Sequence, residues 1–323
     1  LFITPVPHEG ASTRMRIEQY LNNLSKEGIE YKISPFLDSK FFAVVYKKGY
    51  LFRKIFYFVL SFLRRINDIL KANRFDFVFI HREAFPFGPP IFEWIIHLMG
   101  IPIIYDFDDA IYLSSPNAKS KIMSSRFLRC YGKVSKIIKM SRAVIVCNEY
   151  LKNYSLKFNR NVYIIPTSLD TDKFSLKENR GLDKKKPFVI GWVGSHTTAP
   201  YLKSLENVFR RVSDKYDFTL KIIGAGRDFK IGFDKAELSE WSIEREVSDF
   251  QGLDIGVYPL NGNDWDLGKT GFKTVQYLAV GVPCVVSNVG SNKEIIKDGI
   301  NGFLAESEDE WVAKITRLIE EPQ

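Results

Sequence analysis

Nowhere does the sequence carry an apolar run of the roughly 18 residues that a membrane-spanning helix requires. The most apolar stretch, Ile55–Leu63, is nine residues long and lies between Arg53-Lys54 and Arg64-Arg65. Cysteine is also scarce. Cys130, Cys147 and Cys284 are far apart, odd in number and without metal-ligand spacing. That excludes a disulfide framework and a cysteine metal site, and reads as buried thiols of a reducing cytosol. There is no internal repeat and no low-complexity segment, which excludes solenoid and fibrous architectures. An initiating methionine is missing too: the chain opens at Leu1-Phe2-Ile3-Thr4, already strand-like. A few residues are therefore expected ahead of it, with room for a short targeting segment.

What is present describes a globular α/β protein. At 323 residues, 45% hydrophobic and 26% charged, the chain is too long for one ordinary core and implies about two domains. Short β-branched or aromatic runs at 1–6, 31–36, 75–81, 101–107, 142–147 and 161–166 alternate with helical periodicity at 13–27, 50–72, 90–99, 119–139 and 149–157. Such alternation predicts a parallel sheet covered on both faces. It stops at Pro166-Thr167-Ser168-Leu169-Asp170, and the polar stretch Lys177 to Lys186 reads as a linker or edge excursion. It resumes with strands at 188–194, 218–223, 253–259 and 282–287 and helices near 200–214, 242–250, 271–280 and 308–320. Two α/β units result, 1–168 and 169–323.

The net charge of +8 is unevenly placed. Residues 1–168 hold 25 Lys/Arg against 13 Asp/Glu, and residues 169–323 hold 21 against 25. Segments 40–74 and 119–142 supply most of the excess. The first half is thus suited to an anionic partner, lipid headgroups or nucleic acid, or else presents a basic solvated surface. No recognised nucleic-acid-binding module accompanies it, so nucleic acid is not expected as a partner.

In a doubly wound sheet, ligands bind beyond the carboxyl ends of the strands. The first strand runs into His8-Glu9-Gly10-Ala11-Ser12-Thr13, where Gly10 lets the backbone approach a ligand and Ser12 or Thr13 can cap a helix. Strand 101–107 ends in Asp106-Phe107-Asp108-Asp109. Carboxylates so close repel one another and need a partner or a purpose: a metal, a hydroxyl to orient, work as a base, or capping of the next helix. Gly191-Trp192-Val193-Gly194-Ser195 and Gly224-Ala225-Gly226-Arg227 are turns of phosphate-binding character, though neither is a P-loop nor a GxGxxG. The richest segment carries Asp264, Asp266, Gly268 and Lys269, then a helix start at Thr270-Gly271-Phe272-Lys273 with Gln276 one turn on. Free helix N–H groups and two lysines there suit a diphosphate.

Together these residues resemble the GT-B glycosyltransferases, specifically family 4, whose members use nucleotide-sugar donors with retention. The similarity is strongest over Leu253-Asp254-Ile255-Gly256-Val257-Tyr258-Pro259-Leu260, Gly268–Lys273, Gln276–Pro283 and Gly299-Ile300-Asn301-Gly302-Phe303-Leu304. Tyr105–Ile111 and Gly191–Ser195 look like a bacterial subgroup acting on surface polysaccharides. The resemblance implies two facing Rossmann-like domains: 1–168 on the acceptor side, and 169–323 binding the nucleotide-sugar, its last helix free to return to the first domain. It further implies a UDP- or GDP-linked sugar donor held between the domains, no other cofactor, and no metal. Lys273 and Lys269, with backbone N–H groups near Gly10, Ser195 and Gly271, are expected to hold the diphosphate. Gly194, Gly226, Thr270 and Phe272 are expected to line the donor, Gln276 to take the ribose, and Asp108 to orient the acceptor hydroxyl or donor sugar.

The chain departs from the family pattern in places. Gly268 and Gln276 stand where paired glutamates are usual, Ser195 and Tyr201 where an arginine and a lysine are common, and Asp108 where a histidine is frequent. A sugar-nucleotide-binding protein without transferase activity is the alternative. The acceptor is expected to be a cell-envelope glycan or its lipid-linked precursor. The enzyme is expected to work in the cytoplasm, peripherally on the inner face of the cell membrane, because Lys47–Arg65 mixes basic and aromatic residues at helical spacing. Phe52, Phe56 and Phe62 are expected in the lipid, with Arg53, Lys54, Arg64 and Arg65 at the phosphates.

Overall fold

Parallel strands buried on both faces must be apolar along their length, as the runs Ala143–Val146, Phe188–Val193 and Ile255–Tyr258 are. The structure is a computed structural model that describes residues 1–47, 49–113, 130–177 and 187–321. It divides into two compact units, Leu1–Thr167 and Ser168–Gln323.

The first unit is a six-stranded sheet of β1 (Phe2–Thr4), β2 (Ile33–Pro35), β3 (Val78–His81), β4 (Ile103–Phe107), β5 (Ala143–Val146) and β6 (Val162–Ile164). The strands are parallel in the order β2-β1-β3-β4-β5-β6. The second unit repeats the plan with β7 (Phe188–Val193), β8 (Phe218–Ile223), β9 (Ala236–Ser239), β10 (Ile255–Tyr258), β11 (Cys284–Ser287) and β12 (Phe303–Ala305), in the order β12-β11-β10-β7-β8-β9. Each sheet is therefore doubly wound. Its order reverses once, between β1 and β3 in the first unit and between β7 and β10 in the second, and the strand ends diverge there into a crevice.

The anticipated elements are present, with ends trimmed. The helix expected over 13–27 is broken into Ala11–Arg16, a 3-10 turn at Glu18–Tyr20, and Leu21–Lys26. Part of the helix expected over 119–139 lies outside the described residues, as does almost all of the Lys177–Lys186 stretch. The described part runs Lys133–Met140. The last helix, Glu308–Glu320, packs within the second unit. It buries Trp311, Ile315 and Ile319 among Val208, Phe209 and Val212 of helix Glu206–Ser213, because its apolar stripe has its match there.

Helix Leu51–Leu70 corrects the expectation for its charges. Arg65 is only 1% exposed and faces the sheet, where it donates to Ser34 Oγ, Ser34 O and Thr4 O at 3.1–3.2 Å. Burial pushes its guanidinium down to about 10, a shift that Asp68 opposes. Arg64 donates to Asp38 and to the carbonyls of Pro35 and Phe36. Phe62 packs inward against Phe85 and Phe92. These three residues are committed to the protein, so none of them is at hand for lipid.

Close approach decides the second unit's centre. Gly256 of β10 lies under the ring of the fully buried Tyr277, whose hydroxyl donates to the carbonyls of Gly191 and Val257. A Cβ at Gly256 would stand 2.5–2.7 Å from three ring carbons, and the anchored ring cannot withdraw. Gly256→Ala should cost about 1–3 kcal/mol of stability, the usual range for overpacking. A urea midpoint unchanged in the second unit would show that the ring shifts freely.

Candidate functional site

At the second unit's switch point, β7 ends in the Gly194 turn, β8 in the Gly224 turn, and β10 in the loop leading to helix Phe272–Ala279. The first two turns are locked together. Gly194 N–H donates to Ile223 O at 2.9 Å, and Gly224 (φ 82°) comes so close to Gly194 O that a Cβ would stand 2.1 Å from it. Left-handed backbone and close approach both demand glycine there. Lys273 lies against this floor: a Cβ on Gly194 would be 2.8 Å from its Cε. Its ammonium sits 4.8 Å from the Tyr258 ring centroid and 5.5 Å from that of Trp192. Two buried aromatic faces thus hold a cation at the turn. Gly226 lies beside His196, 3.6 Å from its Cβ to a would-be Cβ. Ser195 is exposed, its hydroxyl bonded to Thr197 Oγ1 at 2.7 Å, while Thr198 Oγ1 accepts the Ser195 amide at 3.3 Å.

The start of helix Phe272–Ala279 is fixed from below. Gly271 is its N-cap in the left-handed region (φ 67°), and the neighbouring Thr270 Oγ1 accepts the Phe272 amide at 3.2 Å. Thr270 thereby caps the helix and takes one of the donors expected for an anion. Thr274 donates to Asn292, which donates to Ser287 O, so the helix is also tied to the end of β11. Gln276 is buried one turn beyond Lys273. Of the two expected lysines, the structure brings Lys273 against the glycine turn, while Lys269 directs its ammonium over Trp265. Asp266 is a structural pin. Fully buried, it accepts from the Tyr201 hydroxyl and the Asn261 amide.

In the first unit each carboxylate at the end of β4 already has a cation. Asp106 receives Arg16 through two nitrogens and lies 2.6 Å from His81 Nδ1. Arg82 donates to Asp108 Oδ1 at 2.7 Å and to Asp109 Oδ2 at 2.6 Å. Arg82 itself holds a left-handed conformation (φ 62°), unusual for a side chain of its size, and the Tyr105 hydroxyl donates to its carbonyl. His81 Nε2 is buried without a hydrogen bond, 3.8 Å from Asp108 Oδ1. Cations from the same chain therefore answer the mutual repulsion of the cluster, and none of its carboxylates needs a metal for that. The start of the helix that Asp108 or Asp109 is expected to cap lies outside the described residues. Gly10 fits closely under Val6, and the hydroxyl of Thr13 bonds Val6 O rather than capping the helix. His8 pairs with Glu18 at the surface.

Sequence reasoning passed over His81, Arg82 and Arg16. His81 closes the run 75–81 and Arg82 follows it, where strand-end position was the available signal. Arg16 sits on a helix and looked like any solvated charge.

Burial pushes the Asp108 carboxyl up, but Arg82 and His81 outweigh it and hold the group below the usual carboxylate range. A folded-state pKa below the unfolded one contributes stability that is present above about pH 4 and lost as pH falls toward the folded value. Asp108→Asn should therefore lower stability at neutral pH and flatten its loss between about pH 4 and pH 2. Urea midpoints across that range check this; an unchanged acid slope would mean that the group is not an anion in the fold.

The family model for glycosyl transferases group 1 matches residues 187–321, and that for glycosyltransferase family 4 matches residues 17–173. No curated protein matches the chain. Among solved structures, the chain is similar to Anabaena HepE in complex with UDP-glucose, with TM-score 0.65 and 13% identity over 99% of this chain and 89% of that one. It is also similar to the lipopolysaccharide outer core galactosyltransferase WaaB, with TM-score 0.55 and 15% identity over 100% and 90%. A third, from E. coli, is trehalose-6-phosphate bound with UDP-2-fluoro glucose, with TM-score 0.52 and 12% identity over 82% and 71%. At these identities the likeness bears on the fold, two Rossmann-like α/β domains of the GT-B type.

Proposed function

The chain belongs to the family 4 type of GT-B glycosyltransferases, and from that footing we propose that it transfers a sugar with retention from a nucleotide diphosphate donor. The acceptor is a hydroxyl of a cell-envelope glycan or its lipid-linked precursor. In the reaction the bond from the sugar C1 to the diphosphate oxygen breaks, and the nucleoside diphosphate leaves with the electron pair. C1 bonds to the acceptor oxygen on the same face, and the acceptor proton goes to the departing phosphate. One observation carries the reading: Lys273 rests against the Gly194 turn at the switch point of the second sheet, with its ammonium braced by Tyr258 and Trp192.

Negative charge grows on the diphosphate as the sugar departs, and a fixed cation stabilises that change more than it stabilises the bound donor. We assign this role to Lys273, with the backbone of the Gly194, Ser195 and Gly226 turns beside it and no divalent metal required. Gln276 is assigned to the ribose, where an amide can still serve hydroxyls. Asp108, an anion held by Arg82, is a poor proton carrier near neutral pH, so we give it the orientation of a hydroxyl rather than general-base work. The UDP-sugars bound by the Anabaena and E. coli proteins favour uridine as the base.

A thermal-shift series with UDP-, GDP-, ADP- and dTDP-sugars tests the donor, since ligand binding raises the apparent melting temperature. We expect the UDP-sugars to give the largest shift, and NMR of the product to show the donor's own anomeric configuration. Inversion would overturn retention. Binding without hydrolysis or transfer would return the alternative of a sugar-nucleotide-binding protein, which Gly268 at the usual glutamate position would suit.

Lys273→Ala should weaken binding of the nucleoside diphosphate by about 1.5–3 kcal/mol, the range for hydrogen bonds to charged groups. The free nucleoside should bind almost unchanged. Calorimetric titration separates the two, and equal losses would mean that the lysine acts through packing on Trp192 and Tyr258.

A further inference from the structure

Helix Leu51–Leu70 is amphipathic in the reverse sense. Its sheet-facing side carries Ser61, Arg65 and Asp68, all at most 2% exposed. Its outer side carries Phe52 (88% exposed), Ile55, Phe56, Val59, Leu60 and Leu63 (45–60%). At helical spacing these six fall on one face. The charged residues are turned inward because the end of β2 needs them: Arg65 satisfies Ser34 and Thr4 O, and Asp68 accepts from Ser34 and Lys32. An apolar face left outside on a helix whose polar face is buried is not what a solvated surface helix shows.

The charge around this face has one sign. Residues 39–67 contain no Asp or Glu, and Lys40, Lys47 and Arg53 are exposed beside it. The first two belong to helix Ser39–Val45 and the turn after it. That helix packs on the stripe's helix through Phe41 and Tyr57, and Lys54 donates to Lys47 O. Next to it, helix Ile91–Leu98 packs through Phe92 on Phe62 and leaves Ile91, Trp94 and Leu98 exposed. No helix of the described residues is long and apolar enough to cross a membrane.

We propose that the face formed by Phe52, Ile55, Phe56, Val59, Leu60 and Leu63 docks in the plane of an anionic lipid bilayer, with Lys40, Lys47 and Arg53 at the headgroup phosphates. The hydrocarbon boundary takes the six apolar side chains, and the flanking cations match the surface charge. An acidic protein partner would need apolar complementarity as well as charge, whereas a bilayer presents both along any line of its surface. The proposal stands on this surface alone, whatever sugar the enzyme moves.

Co-sedimentation of the full chain with vesicles of phosphatidylcholine, with and without phosphatidylglycerol, tests it. The protein should pellet with the anionic vesicles, much less with the neutral ones, and should be released by ~0.5 M salt as screening shortens. The triple variant Phe52→Asp, Phe56→Asp, Leu63→Asp should lose at least tenfold in partitioning at an unchanged melting temperature. The milder Phe52→Ser, Leu63→Ser pair should lose less, in the same direction. Replacing Lys40, Lys47 and Arg53 with Gln should weaken binding to the anionic vesicles by up to about fivefold per charge. Undiminished binding of the aspartate variant would overturn the proposal, as would equal binding to neutral vesicles or a wild type that stays in the supernatant. A wild-type dimer that the aspartates convert to monomer, without vesicle binding, would assign the face to a second copy of the chain.

Discussion

The contact between two glycine turns is what the second unit's functional face hangs from. Gly194 hands its N–H to the last residue of β8, and Gly224 lies against its carbonyl with no room for a side chain. That closeness lets β7 and β8 end at one level, and it sets the floor on which the stem of Lys273 lies. Lys273 is one residue into a helix whose entry is itself fixed by Thr270, Gly271 and Asn292. A cation delivered by a rigid helix onto a rigid turn is preorganised, and preorganisation is what makes one positive charge effective at a reacting centre.

The first unit is organised around charge instead. Asp106, Asp108 and Asp109 would be costly so close together in a largely buried setting, and two arginines and a histidine make the arrangement tolerable. The same logic recurs at the end of β2, where Arg65 and Asp68 are drawn inward to serve Ser34 and Thr4. Satisfying those buried polar groups has a consequence on the opposite side of the helix. With Ser61, Arg65 and Asp68 spent on the interior, the outward face from Phe52 to Leu63 is left to apolar side chains, with Arg53 at its edge. Internal hydrogen bonding and the exposed face are two results of one sequence choice.

Much of the fold was legible because strands in doubly wound sheets are short apolar runs and covering helices have their own period. Strand 218–223 and helix 308–320 were found with the bounds they have. The edge strands Ala236–Ser239 and Phe303–Ala305 were not, since four and three residues with mixed burial leave no period to detect. The candidate site was legible as a set of motifs. Gly194, Gly226, Gly271 and Lys273 were each visible as turn or helix-start residues beyond strand ends. Which of them touch was not visible, because touching depends on strand order.

The sequence by itself determined the α/β class, two units of similar size, glycines at the ends of β7 and β8, and a lysine at the start of a helix. These are local properties, set by hydrophobic period, turn chemistry and helix entry. Tertiary structure alone decided that Lys273 rather than Lys269 meets the glycine turn, that Arg82 pairs with both Asp108 and Asp109, and that Arg65 points inward while Phe52 points out. Each of those outcomes turns on which strands lie side by side and which buried oxygen needs a donor, and pairings between residues tens of positions apart leave no mark on local pattern.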